Sequence, residues 1–127
     1  MEGVSPVIAP LSPEEVQTVE EFRKRRNTAV LAVMFTDIVG STNATERLGE
    51  KVYTGLRHLH DELVRKIITR DGAGTIVKEI GDSFLCVFAE PSAAVERAVE
   101  VQRAIHMNRE NLSAGEYTLT VRIGIHM

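Results

Sequence analysis

The chain has 127 residues, of which 43% are hydrophobic and 26% are charged, and this composition is typical of a single globular domain. The net charge of −3 argues against nonspecific nucleic-acid binding, which requires a basic surface. The single cysteine, Cys86, excludes a disulfide within the chain and fits the reducing cytoplasm, where we expect the protein to reside. No window contains the ~18 consecutive apolar residues of a membrane span, and the N-terminus lacks a signal-peptide pattern.

The first 28 residues are expected to form an N-terminal extension that contains one helix. Two prolines within residues 1–11 predict an extended lead-in. A helix over residues 12–27 is predicted because Ser12 can cap it, Pro13 suits its first position and Glu15 completes a capping box. This helix either relays a signal into the first strand or covers a hydrophobic surface, and we favour the covering role.

The predicted helix ends in four consecutive basic residues, Arg23-Lys24-Arg25-Arg26. Basic residues at a helix C-terminus complement the helix dipole, which is the simpler interpretation. A patch that binds anionic lipid, nucleic acid or a protein partner is the alternative.

Hydrophobic periodicity in the rest of the chain predicts an alternation of strands and helices. The predicted elements are a strand over 28–35, a short helix that ends near 49, a helix over 51–70, strands over 75–80 and 83–89, a helix from 91, a loop over 108–116 and a strand over 117–125. This order predicts an α+β fold with a ferredoxin-like βαββαβ core. The buried face of the 51–70 helix is expected to comprise Val52, Leu56, Leu59, Leu63 and Ile67.

Two aspartates, Asp37 and Asp82, are candidates for a metal site. Asp37 closes the first predicted strand in the stretch FTDIVGST (35–42), and Asp82 lies at the tip of the predicted hairpin. The first strand and this hairpin are neighbours in a ferredoxin-like sheet, so the two carboxylates are expected to meet at one sheet edge. Close carboxylates repel unless a cation lies between them, and Mg²⁺ prefers a few carboxylates together with phosphate oxygens. A helix cap for Asp37 and a plain hairpin turn for Asp82 are the ordinary alternatives.

The residues after Asp37 are expected to contact phosphate. A predicted helix begins at Val39-Gly40-Ser41-Thr42, and the first backbone N–H groups of a helix form an anion site. Gly40 removes a side chain where a ligand must approach closely. Carboxylates, Mg²⁺ and a phosphate-facing helix start together indicate phosphoryl or nucleotidyl transfer.

Three motifs, FTDIVGST, VKEIGDSFL and VRIGIH, closely resemble in order and spacing those of the class III adenylate/guanylate cyclase catalytic domain. The resemblance covers residues 29–127, which are the expected catalytic domain. It implies that Asp37, Asp82 and the backbone carbonyl of Ile38 bind two Mg²⁺ or Mn²⁺ ions. It also implies that the N–H groups of residues 38–42 hold the triphosphate of ATP.

By the same resemblance, Lys78 lies where such enzymes read the purine. Lysine there suits ATP better than GTP, because adenine N1 accepts a hydrogen bond. The adjacent Glu79 points to the opposite strand face, so a register slip of one residue would reverse this assignment. A solvated strand lysine is the ordinary alternative for Lys78. The resemblance further implies a homodimer, in which the aspartates of each site come from one chain and the lysine from the other.

The family pattern continues beyond VRIGIH with a second purine-reading residue and an Asn and Arg pair that stabilises the transition state. The chain ends at Met127 without them, so the catalytic domain is expected to be incomplete at its C-terminus and little active alone. An exposed sheet edge is then expected to favour dimers, including strand-exchanged ones. Two alternatives stay open: a noncatalytic cyclase-like module for dimerisation or regulation, and another two-metal enzyme such as a polymerase palm or diguanylate cyclase.

Overall fold

Helix α1 begins and ends where the sequence predicts. The structure is a computed structural model that describes residues 11–127, so all but the last residue of the predicted extended lead-in lies outside the described residues. Helix α1 spans Pro13–Arg26. The Ser12 Oγ accepts from the Glu15 N–H at 3.1 Å and the Glu15 Oε1 accepts from the Ser12 N–H at 2.7 Å, so the capping box is confirmed. Asn27, with a left-handed φ of 51°, ends the helix.

The remaining elements build an antiparallel sheet with helices beside it. They are β1 Ala32–Ile38, α2 Ser41–Leu48, α3 Glu50–Thr69, β2 Gly74–Ile80, β3 Ser83–Phe88, α4 Pro91–Met107, β4 Ser113–Ala114, β5 Tyr117–Thr118 and β6 Val121–His126. The main sheet has the order β2-β3-β1-β6, while β4 and β5 pair with each other in a separate hairpin. This order is that of a ferredoxin-like core, so the predicted α+β fold is confirmed.

Both faces of the sheet are covered by helices. On one face, α3 and α4 pack over alternate strand residues, and this main core includes Met34, Phe84, Phe88, Val64 and Val101. On the other face, α1 inserts Phe22, which is 1% exposed, against Val77, Leu85 and Val87. Helix α1 therefore covers a hydrophobic sheet face. Within residues 11–127, no helix combines the length and the apolar character needed to cross a membrane.

Strand β1 begins and ends later than the predicted range of 28–35. The Thr28 Oγ1 donates to the Val30 carbonyl at 2.9 Å and accepts from the Val30 N–H at 3.2 Å. This local side-chain bonding competes with strand pairing and delays entry into the sheet. The strand then continues through Thr36 and Asp37, because both pair with β6.

The buried face of α3 differs from the predicted one. Val52 is 47% exposed, and Leu59 and Leu63 are only partly buried. Tyr53 and His60, which the predicted face omits, are buried. The predicted face follows aliphatic residues only, whereas the aromatic rings of Tyr53 and His60 also bury carbon surface against the core.

The predicted single strand over 117–125 is interrupted at Leu119. The Leu119 N–H donates to the Leu112 carbonyl at 2.9 Å, and both leucine side chains are fully buried. This contact separates β5 from β6. The predicted loop over 108–116 accordingly contains β4, which pairs with β5 around a turn at Gly115.

Candidate active site

Asp37 lies near the C-terminal end of β1. Its Oδ1 accepts from the Ser83 Oγ at 2.9 Å, and its Oδ2 accepts from the Arg122 Nη2 at 2.9 Å. Arg122 stands directly opposite Asp37 in the β1–β6 register. The Asp37 side chain is 36% exposed, so a cation or a ligand from solvent can reach it.

Asp82 occupies the tight turn between β2 and β3. Gly81 adopts a left-handed φ of 56°, which favours glycine at this position of the turn. The Tyr53 hydroxyl of α3 donates to the Asp82 Oδ2 at 3.1 Å. Burial, together with the nearby charge of Asp82, raises the pKa of Tyr53 well above its usual value, so the hydroxyl keeps its proton and remains a donor.

The two aspartates lie at the same end of the sheet. Ser83 follows Asp82 in the chain, and its side chain donates directly to Asp37. Within the described residues, no group of three or more His, Cys, Asp or Glu side chains could enclose a metal ion. Two carboxylates at an open edge suit Mg²⁺, because this ion keeps several waters and takes further oxygen ligands from substrate phosphates. Asp37 and Asp82 are therefore candidate ligands for a divalent cation that is shared with a phosphorylated ligand.

Helix α2 begins with backbone N–H groups that face no intrahelical acceptor. Gly40 is the N-cap, with a left-handed φ of 66° and no side-chain capping bond. The first amide of α2 to donate to a backbone carbonyl is that of Ala44, which bonds to the Gly40 carbonyl at 2.9 Å. The N–H groups of residues 41–43 make no such bond and are open to a ligand. The Val39 N–H, by contrast, donates to the Thr120 carbonyl at 2.9 Å. The Ile38 side chain is buried in the core, which leaves its backbone as the part that could meet a ligand.

Lys78 lies in β2 beneath α1. Its Nζ is 3.8 Å from the Glu15 Oε1, and its side chain is 15% exposed. Glu79 points the other way, toward α3, where Arg65 donates to its carboxylate. A β-bulge just before Lys78 sets this register. The lysine and not the glutamate therefore occupies the sheet face that α1 covers, which is also the face of Asp37.

Sequence reasoning missed three residues that contact the aspartates, namely Tyr53, Ser83 and Arg122. Arg122 could have been found, because the predicted topology makes β1 and β6 neighbours and a fixed register then pairs Asp37 with Arg122. Ser83 could have been found in the same way from the β1–β3 pairing. No sequence signal points to Tyr53, since it depends on how α3 packs over the hairpin.

The chain belongs to the adenylate and guanylate cyclase catalytic domain family, whose sequence profile matches residues 23–127. Among solved structures, the adenylyl cyclase CyaB from P. aeruginosa is 29% identical with a TM-score of 0.65, and the match covers 75% of this chain and 54% of that chain. An adenylate/guanylate cyclase/hydrolase from Silicibacter pomeroyi is 31% identical with a TM-score of 0.60, covering 76% of this chain and 55% of that chain.

A curated relative, a protein kinase, also matches this chain, but over only a small part of its much greater length. The serine/threonine-protein kinase pkn2 of Myxococcus xanthus is 29% identical over 96 residues, which are 76% of this chain and 11% of that protein. The chain thus spans about half the length of the two cyclase structures and a small part of the kinase. The family match identifies residues 23–127 as a class III cyclase catalytic domain.

Proposed function

We propose that this domain converts ATP to cyclic AMP and pyrophosphate, as part of signalling, with two Mg²⁺ or Mn²⁺ ions. The observation that carries the proposal is the Ser83–Asp37 hydrogen bond of 2.9 Å. It ties the end of β1 to the residue after Asp82, in a chain of the cyclase family. One carboxylate near the end of β1, another in the β2–β3 turn and the start of α2 would together suit a metal–triphosphate complex.

Each part of the site has a proposed role. Asp37, Asp82 and the Ile38 carbonyl hold the metal ions, which supply positive charge that activates the ribose 3′-hydroxyl and neutralises the triphosphate. The open N–H groups at the start of α2 donate to phosphate oxygens, and Gly40 lets the phosphate approach the backbone. Lys78 donates to adenine N1, which favours ATP over GTP.

The reaction is an in-line displacement at the α-phosphorus. The ribose 3′-oxygen forms a bond to the α-phosphorus, and its proton passes to solvent. The bond from the α-phosphorus to the bridging oxygen breaks, and pyrophosphate leaves with that electron pair. The residues of the chain orient the triphosphate so that attacking and leaving oxygens stay in line.

The complete site is proposed to form between two copies of the chain. The aspartates and the α2 start of one copy would meet Lys78 of the other, so that each purine is read across the interface. Sedimentation of the chain with and without Mg²⁺ and ATP measures whether such a homodimer forms.

The test compares Mg²⁺-dependent ATP binding and cyclic nucleotide formation in the full chain and its variants. We expect calorimetry to show ATP binding that requires Mg²⁺, and we expect cyclic AMP as the product, formed slowly by the chain alone. Asp37→Asn and Asp82→Asn should reduce both, while Asp71→Asn, at an exposed aspartate in the α3–β2 connection, should change neither. Binding that is unaffected by Asp37→Asn would overturn the proposal. Mg²⁺-dependent binding with no cyclic product above the Asp37→Asn background would point to a noncatalytic cyclase-like module instead.

A further inference from the structure

The contact between Tyr53 and Asp82 joins a rigid part of the core to a turn. Tyr53 is only 6% exposed, and its ring belongs to the main core beneath α3. Its hydroxyl donates to the Asp82 Oδ2 at 3.1 Å, across 29 positions in the chain. A buried ring has few rotamers available to it, so its hydroxyl is a well-placed donor beside the β2–β3 turn.

We infer that Tyr53 is a positioning residue, which holds the Asp82 carboxylate in the orientation that binds a divalent cation. The inference rests on the proposed function, because it needs Asp82 to be a metal ligand. A carboxylate can coordinate a cation through one oxygen while the other accepts a hydrogen bond. The Tyr53 hydroxyl bonds to Oδ2, which leaves Oδ1 as the oxygen proposed to meet the cation. Partners of this kind orient metal ligands, and their removal weakens metal binding even though they never touch the metal.

Tyr117 supplies a matched control. It lies in β5, and its hydroxyl is buried without a hydrogen-bond partner in the described part of the chain. Burial, and then the charge of Asp82, raises the pKa of the Tyr117 hydroxyl. Removal of the Tyr117 hydroxyl takes no hydrogen bond from Asp82, whereas removal of the Tyr53 hydroxyl takes one.

The test is a titration of the full chain with Mn²⁺ alone, with free Mn²⁺ measured by electron paramagnetic resonance. We expect Tyr53→Phe to raise the Mn²⁺ dissociation constant about tenfold. Tyr117→Phe should leave it unchanged, and thermal unfolding should show that both variants stay folded. In an Asp82→Asn background, Tyr53→Phe should have no further effect, because the group through which it acts is gone.

The outcomes separate this inference from the proposed function. If Asp82→Asn weakens Mn²⁺ binding but Tyr53→Phe does not, the positioning role is overturned and the proposed metal site stands. If Tyr53→Phe raises the Mn²⁺ dissociation constant by the same factor in the wild type and in the Asp82→Asn background, its effect is structural. The inference is then also overturned. If neither Asp37→Asn nor Asp82→Asn changes Mn²⁺ binding, the proposed site itself is wrong and the positioning role fails with it.

Discussion

The Glu15 carboxylate of α1 lies 3.8 Å from the Lys78 ammonium of β2. The first turn of the helix that covers the sheet therefore engages the lysine proposed to read the purine. Both side chains are mostly buried, at 21% and 15% exposed, so the contact limits how freely Lys78 can reach a ligand.

Loss of the Glu15 charge should make Lys78 more reactive. In Glu15→Gln the capping box is retained, because glutamine also serves at that position, while the attraction to Lys78 is lost. Amine labelling with mass-spectrometric detection should show faster modification of Lys78, and calorimetry should show tighter ATP binding. The control is Glu14→Gln, which changes an exposed charge in the same helical turn. Equal labelling of Lys78 in the wild-type chain and both variants would show that Glu15 does not restrain the lysine.

Truncation of Phe22 should strongly destabilise the protein. Phe22 is 1% exposed in the cluster between α1 and the sheet, so Phe22→Ala leaves a cavity beside Leu85 and Val87. We expect the free energy of unfolding in urea to fall by roughly 3 kcal/mol. Val16→Ala, at a valine of α1 that is 46% exposed, should cost far less. Similar losses from both variants would mean that α1 is not docked through Phe22.

The Cys86 thiol should be inert in the folded protein. Cys86 is fully buried in β3, and burial raises the pKa of its thiol to about 12. Because it is the single cysteine, any reaction with a thiol reagent at neutral pH reports on this site alone. The reaction should be negligible in buffer and complete in denaturant. Since the folded state holds the thiol neutral, its contribution to stability is present below the ordinary thiol pKa and is lost as the pH rises toward about 12. Rapid modification of native protein would contradict this burial.

Two glycine substitutions should have opposite effects on stability. A Cβ at Gly74 would lie 2.6 Å from a ring carbon of Phe88, which is fully buried and cannot move aside. Gly74→Ala should therefore lower the free energy of unfolding by about 1–3 kcal/mol. A Cβ at Gly55, on the exposed side of α3, meets nothing within 4 Å. Gly55→Ala should raise stability by up to about 1 kcal/mol, because alanine is the better helix former. A stabilising Gly74→Ala would show that β2 and β3 pack more loosely than described.

Local signals predicted much of the fold. The start of α1 follows from a capping box within four residues, and the β2–β3 hairpin follows from two apolar runs around Gly81. The errors arose where distant residues decide the outcome. Leu119 leaves the predicted strand because its N–H bonds to Leu112, and Tyr53 joins the core because of how α3 packs.

The site shows the same division between local and distant information. Asp37 stands out in the sequence at the end of an apolar run, and Asp82 stands out after Gly81 at a predicted hairpin turn. Their partners could not be read locally, since Ser83 lies 46 positions from Asp37 and Arg122 lies 85 positions away. Only the antiparallel register brings these side chains together. The cover over Lys78 likewise depends on the docking of α1 across the sheet.

The most direct measurement is a crystal structure of the chain with Mn²⁺ and an ATP analogue that cannot be cyclised, with Mn²⁺ located by anomalous scattering. The proposed site predicts an anomalous peak about 2.1 Å from carboxylate oxygens of both Asp37 and Asp82, with the triphosphate at the start of α2. An anomalous peak elsewhere in the protein, with both carboxylates free of metal, would contradict the proposed catalytic site.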